Sequence, residues 1–74
     1  MTPDLLREAG EALFGTLWQS ELARALGVND RTVRRWLAGG NAIPVDVGID
    51  LCALLNYRTL QIAEVRHRLL EPPG

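Results

Sequence analysis

Apolar residues recur along this chain at intervals of three and four, and few stretches alternate apolar with polar. The pattern predicts helices throughout and gives strands little support. Leu5, Leu6, Ala9, Ala12, Leu13 and Phe14 form the first series. Thr2, Pro3 and Asp4 supply its N-cap and first turn, and Gly15 ends it. Thr16 and Gln19 have capping-box spacing for a second helix that runs through Leu26 to a stop at Gly27. Asn29 is a good N-cap for a third helix to about Ala38, where Gly39-Gly40 supplies the stop. Pro44 suits the first turn of a fourth helix, which carries Val45, Val47, Leu51, Cys52, Leu54 and Leu55. After Asn56-Tyr57, Thr59 caps a fifth helix to Leu70, and Pro72-Pro73 ends the series. The expectation is an all-α, compact bundle of five short helices. It forms one domain over residues 1–74, without repeats, low-complexity stretches or long linkers.

Composition narrows this picture only a little. A 74-residue chain buries about 60% of the surface its unfolded form exposes, so a modest core is expected. Apolar content of 47% with 23% charged residues is ordinary for a globular protein. Cys52 stands alone, which excludes an internal disulfide and makes a reducing, cytoplasmic setting the default. No apolar run approaches the roughly 20 residues of a membrane span. The N-terminus lacks the basic-then-apolar order of a signal peptide, since Asp4 and Glu8 flank its leucines.

Charge distribution changes the picture more. The formal net charge is -1, all eight cationic side chains are arginines, and three of them fall within the stretch "NDRTVRRW". Residues 1–21 set Arg7 against Asp4, Glu8, Glu11 and Glu21, while residues 22–40 set four arginines against Asp30. Asp46 and Asp50 follow, and the segment from Tyr57 onward is slightly basic. A local basic patch on a near-neutral chain acts over a Debye length of about 8 Å.

The spacing around that patch has a further meaning. Two helices crossing steeply need a small residue at closest approach, which Ala23 provides. The sharp turn between them needs a residue tolerant of positive φ, which Gly27 provides. Leu22 and Leu26 form one apolar stripe; Val33 and Trp36 form the facing one, and Val28 plugs the turn. At 100° per residue, Arg31, Arg34 and Arg35 then fall within about 100° of one another on the opposite, exposed side. Like charges three and four apart destabilise a helix by a few tenths of a kcal/mol per pair. Such a face suits an external anion.

Gln19-Ser20-Glu21-Leu22-Ala23, then Leu26-Gly27-Val28, then Thr32-Val33 and Trp36, resemble the helix-turn-helix of phage Cro and repressor proteins, the XRE-like family. The match covers residues 16–40, and the remaining helices fit that family's lambda-repressor-like DNA-binding domain. The resemblance implies that the third helix enters the major groove of double-stranded DNA. By position, Asp30, Arg31, Arg34 and Arg35 would face base edges, with Arg34 able to reach a base or a phosphate. Arginine can hold guanine O6 and N7 in a bidentate way, whereas Asp30 could accept from a cytosine amino group or favour the positive helix N-terminus. Gln19, Asn29, Thr32, Gly39, Gly40 and Asn41 match phosphate-contacting positions, and Gln19 could also brace the recognition helix. The family often has a capping Thr or Ser before Gln19. Here it is Trp18, which leaves Thr16 to take over capping and leaves Trp18 either in the core or against the DNA backbone.

Taken together, the resemblance implies a small repressor that occupies a palindromic operator as a dimer. It would work at the nucleoid of a prokaryote or in a phage-encoded setting, autoregulatory in a prophage, antitoxin-type or anti-CRISPR-associated operon. The rival is a protein-interaction module that keeps the fold but has lost DNA affinity, a reading favoured by the overall acidity. The segment after Thr59 bears on assembly. Leu60, Ala63, His67 and Leu70 make one stripe, and Ile62, Val65 and Leu69 make another on nearly the opposite face. One can pack on the domain, so Ile62, Val65 and Leu69 are the expected dimer interface. No catalytic or metal-ligating constellation is legible: His67 is isolated, Asp46 and Asp50 read as a solvated acidic edge, and Cys52 reads as a buried thiol. No enzyme activity, cofactor, small-molecule ligand or membrane partner is expected.

Overall fold

The structure is a computed structural model that describes residues 1–72, so Pro73 of the expected Pro72-Pro73 terminus lies outside the described residues. Its elements are four helices: α1 (Pro3–Phe14), α2 (Trp18–Leu26), α3 (Asp30–Leu37) and α4 (Val45–Leu70). The all-α expectation is met, with four helices rather than five. The predicted fourth and fifth helices are one. Thr59 does not cap a new helix; its hydroxyl donates to the Leu55 carbonyl at 2.8 Å within an unbroken turn. Asn56 and Tyr57 cost a helix only a few tenths of a kcal/mol each, too little to end one that has no Gly or Pro between Ile49 and Glu71. Pro44 stands one residue earlier than expected, at the N-cap with ψ 146°.

Local rules account for most of the other boundaries. Thr2 caps α1, its Oγ1 accepting from the Leu5 amide at 3.1 Å. Helix α2 differs: its N-cap is Leu17, no side chain caps it, and Thr16 does not take that role. Both helices of the central pair end in the same left-handed cap. At α2, Gly27 (φ 72°) donates to the Arg24 carbonyl and Val28 to that of Ala23. At α3, Gly39 (φ 77°) donates to Trp36 and Gly40 to Arg35. Each is a Schellman pair, which satisfies two carbonyls that the helix end leaves open.

The core joins Leu6 and Leu13 of α1, Trp18, Leu22 and Ala23 of α2, Val33 and Trp36 of α3, and Val47 and Leu51 of α4. Leu5 and Ala12 of the first apolar series, expected to face inward, are exposed instead, and Val45 of the fourth series is exposed as well. Trp18 is a core residue, only 3% exposed, which settles its placement. Gly10 is what admits it. A Cβ at position 10 would lie 2.1 Å from the Trp18 ring, so the indole rests on bare α1 backbone.

Helix α4 takes part in this core only through its first half. From Thr59 to Pro72 every residue is exposed, and the molecule measures 55 × 21 × 20 Å as a result. At 1.5 Å per residue, 26 residues span about 39 Å. Neither apolar stripe of this half packs on the domain: Leu60 and Leu70 are as open as Ile62, Val65 and Leu69. No helix among the described residues is long and apolar enough to cross a membrane.

Candidate nucleic-acid interface

The site is built on α3, an eight-residue helix whose two sides differ sharply. Val33 and Trp36 bury one side against α1 and α2, with 0% and 5% exposure. The other side carries Arg31, Arg34 and Arg35, all exposed. None of the three has an acidic partner among the described residues. The nearby carboxylates are engaged elsewhere. Glu21 pairs with Arg24 at 3.0 Å, and Asp30 accepts from the Ser20 hydroxyl at 2.8 Å. A solvated face neutralised by Glu21 or Asp30 is therefore not what the chain builds.

The start of α3 is held from two directions. Asn29 caps it, its Oδ1 accepting from the Thr32 amide at 2.9 Å and from the Thr32 hydroxyl at 3.1 Å. That leaves the Asn29 side-chain amide free to donate outward. The Ser20–Asp30 bond ties the first turn of α2 to the first turn of α3, and so fixes the angle at which α3 is presented. Sequence reasoning assigned that bracing to Gln19 and missed Ser20, one position further on. The signal available was a hydroxyl ten residues before an N-terminal aspartate, which is informative only once the crossing angle is known.

The residues expected at phosphates divide into two groups. Gln19 is exposed in the first turn of α2, and its side chain makes no hydrogen bond among the described residues. It stands beside the amides of the uncapped α2 N-terminus, a position that favours an anion. Asn29 and Thr32 sit at the α3 cap, with Thr32 half-buried. Gly39 and Gly40 spend their amides on the α3 C-terminus, so of the three loop positions only Asn41 has an amide without an internal acceptor among the described residues. The glycines would contribute by letting a backbone approach closely.

Other candidate chemistry does not gather here. Cys52, read as a buried thiol, is exposed on α4. Its apolar sequence neighbours point to different sides of the helix, and only Leu51 enters the core. His67 pairs with Glu71 at 3.2 Å near the far end of α4. Ile62, Val65 and Leu69 share that end and take no part in the arginine face.

No curated protein and no solved structure matches the chain. A family model described as Helix-turn-helix matches residues 17–62, which include α2, the turn at Gly27, α3 and the first two-thirds of α4. That span holds the Schellman turn, the core contacts of α2 with α3 and the exposed arginines, and it covers more than half of the chain. The chain belongs to the XRE-type helix-turn-helix family of DNA-binding transcription regulators.

Proposed function

We propose that this regulator is a repressor that reads a palindromic operator as a symmetric dimer, with one α3 in the major groove of each half-site. The observation that carries the reading is the arginine face: three permanent cations on a helix anchored by Val33 and Trp36, with no internal counter-charge among the described residues. Arg31 and Arg35 would hold guanine edges, and Arg34 a base or a phosphate. Asp30, oriented by Ser20, would accept from a cytosine amino group through its free oxygen. Gln19, Asn29, Thr32 and Asn41 would sit at phosphates and set the register, with Gly39 and Gly40 giving the backbone room to approach. The exposed end of α4, through Ile62, Val65 and Leu69, would join two copies so that their reading helices stand about 34 Å apart. Such a protein acts at the nucleoid and needs no cofactor, and autoregulation of its own operon fits its size.

Selection from randomised duplex DNA tests this reading, with wild type compared against the Arg31→Ala, Arg35→Ala double mutant. An enriched palindrome that disappears in the double mutant supports it. The same palindrome enriched by both proteins removes the arginines from base readout.

The exposed apolar end of α4 favours one second reading, a module whose main partner is a protein. Salt separates the two. DNA binding weakens steeply and linearly in log-log form as counterions are released, whereas an apolar protein contact does not.

A further inference from the structure

Among the described residues, every carboxylate with an arginine three or four positions further along its own helix pairs with that arginine, except one. Asp4 holds Arg7 at 3.0 Å, Glu21 holds Arg24 at 3.0 Å and Glu64 holds Arg68 at 3.2 Å. Asp30 and Arg34 on α3 have the same kind of spacing, four apart and about 40° around the helix. They also have the favoured order, acid before base. Yet they form no ion pair. Burial does not explain the exception, because all eight of these side chains are exposed.

What sets Asp30 apart is a donor from another helix. The Ser20 hydroxyl, in the first turn of α2, donates to Asp30 Oδ2 at 2.8 Å. A hydrogen bond to an ionised carboxylate is stronger than one between neutral groups, and this one turns the carboxylate toward α2. The three carboxylates that do pair with arginine accept no such bond from a distant hydroxyl.

We infer that Ser20 is a latch on charge: it holds Asp30 away from Arg34, and so keeps Arg34 an unpaired cation for DNA. The inference rests on the reading of α3 proposed above, and it makes Ser20 a positioning residue that acts through Asp30. The chemistry of the guanidinium gives the latch its use. An arginine whose planar fork already holds a carboxylate presents fewer donors to a guanine edge or a phosphate, and the internal pair must break before DNA is met. An acid at the start of α3 suits the positive end of that helix, but it stands one turn from a reading arginine. The hydroxyl reconciles the two: the acid stays at the helix start and the arginine stays free.

The test reads Arg34 without DNA and then with it. In free, ¹⁵N-labelled wild type, the Arg34 Nε–H should be as mobile and as quick to exchange as those of Arg31 and Arg35. Ser20→Ala releases Asp30, so the Arg34 signal alone should become ordered and slower to exchange. Ser20→Thr, which keeps a hydroxyl, should resemble wild type. An Arg34 signal unchanged in Ser20→Ala overturns the latch.

The second arm uses a duplex enriched from randomised DNA. Ser20→Ala should bind it about twofold more weakly, the size of one exposed pair that must first be broken. In the Asp30→Asn background the same Ser20→Ala change should cost nothing, since no carboxylate remains to neutralise Arg34. An equal loss in that background means that Ser20 acts only through the angle between α2 and α3, and it overturns the latch. Arg34→Ala checks the underlying reading. If it binds as tightly as wild type, Arg34 does not meet DNA, and both that reading and the use of the latch fall. If it binds more weakly while the Arg34 signal is unchanged in Ser20→Ala, the reading stands and the latch alone falls.

Discussion

The outward side of α3 and the outward half of α4 are both surfaces that the chain does not cover, yet they are unlike in every other respect. Helix α3 is short, anchored on its inner side by Val33 and Trp36, and exposes permanent charge. The end of α4 has no inner side at all, and exposes Leu60, Ile62, Val65, Leu69 and Leu70 on a bare rod. A charged surface is comfortable in water and becomes specific only when it meets an anion. An apolar surface on a free helix is uncomfortable in water and is relieved by whichever apolar partner is present. The first suits an occasional, salt-sensitive partner, and the second suits a standing, salt-tolerant one.

Ways to break that contrast follow in order of size. Gly10→Ala should remove both surfaces together, because the added Cβ strikes the Trp18 ring that holds α1 on α2. Overpacking of this kind costs about 3 kcal/mol at a site that cannot yield, and a denaturant midpoint measures it. Ile62→Glu should leave the fold intact and dissociate the proposed dimer. Losing two buried isoleucines at about 1.5–3 kcal/mol each raises the dissociation constant by two orders of magnitude or more. Light scattering at fixed concentration would show half the mass, and an unchanged mass would remove α4 from assembly.

Arg31→Ala or Arg35→Ala should do the converse, leaving mass and midpoint unchanged while costing about 1–3 kcal/mol on the preferred site and relaxing the base choice there. Fluorescence anisotropy across a salt series would reveal it. Equal binding by mutant and wild type would show that the arginines are merely solvated. Asn29→Ala is the smallest change, about 1 kcal/mol of stability from the lost α3 cap, read in thermal unfolding. It should also weaken all DNA sequences alike, which distinguishes a positioning residue from a reading one.

How much of this was legible beforehand depended on the range of the forces involved. Thr2, Asn29, Gly27 and Gly39 act on amides and carbonyls within five residues, and their caps were read correctly from local sequence. The α3 arginines were legible for the same reason, since one turn of helix fixes their common side. Thr16 failed as a cap because Trp18 is drawn into the core from the first turn of α2, and Leu17 is left at the boundary. Gly10 beneath Trp18 and Ser20 against Asp30 depend on how α1, α2 and α3 cross, which no short window contains. The division of α4 at Asn56-Tyr57 overrated two mildly unfavourable residues against a helix already growing from the core. Cys52 was misplaced because its apolar neighbours were counted without regard to which side of the helix they occupy.

The unbroken passage of α4 from core to free end makes angle, rather than strength, the quantity at stake there. With no Gly or Pro from Ile49 to Glu71, the helix behaves as a spoke whose outer side chains take their heading from Val47 and Leu51 at the hub. One residue inserted after Arg58, whose guanidinium lies over the Phe14 ring, would turn everything beyond it by about 100° and advance it about 1.5 Å, while leaving the buried core residues in place. Seven inserted residues would restore the heading and lengthen the spoke by about 10 Å. In the proposed dimer, changes in this half of the chain would register as errors of phase between two reading heads, invisible to any measurement of stability made on one.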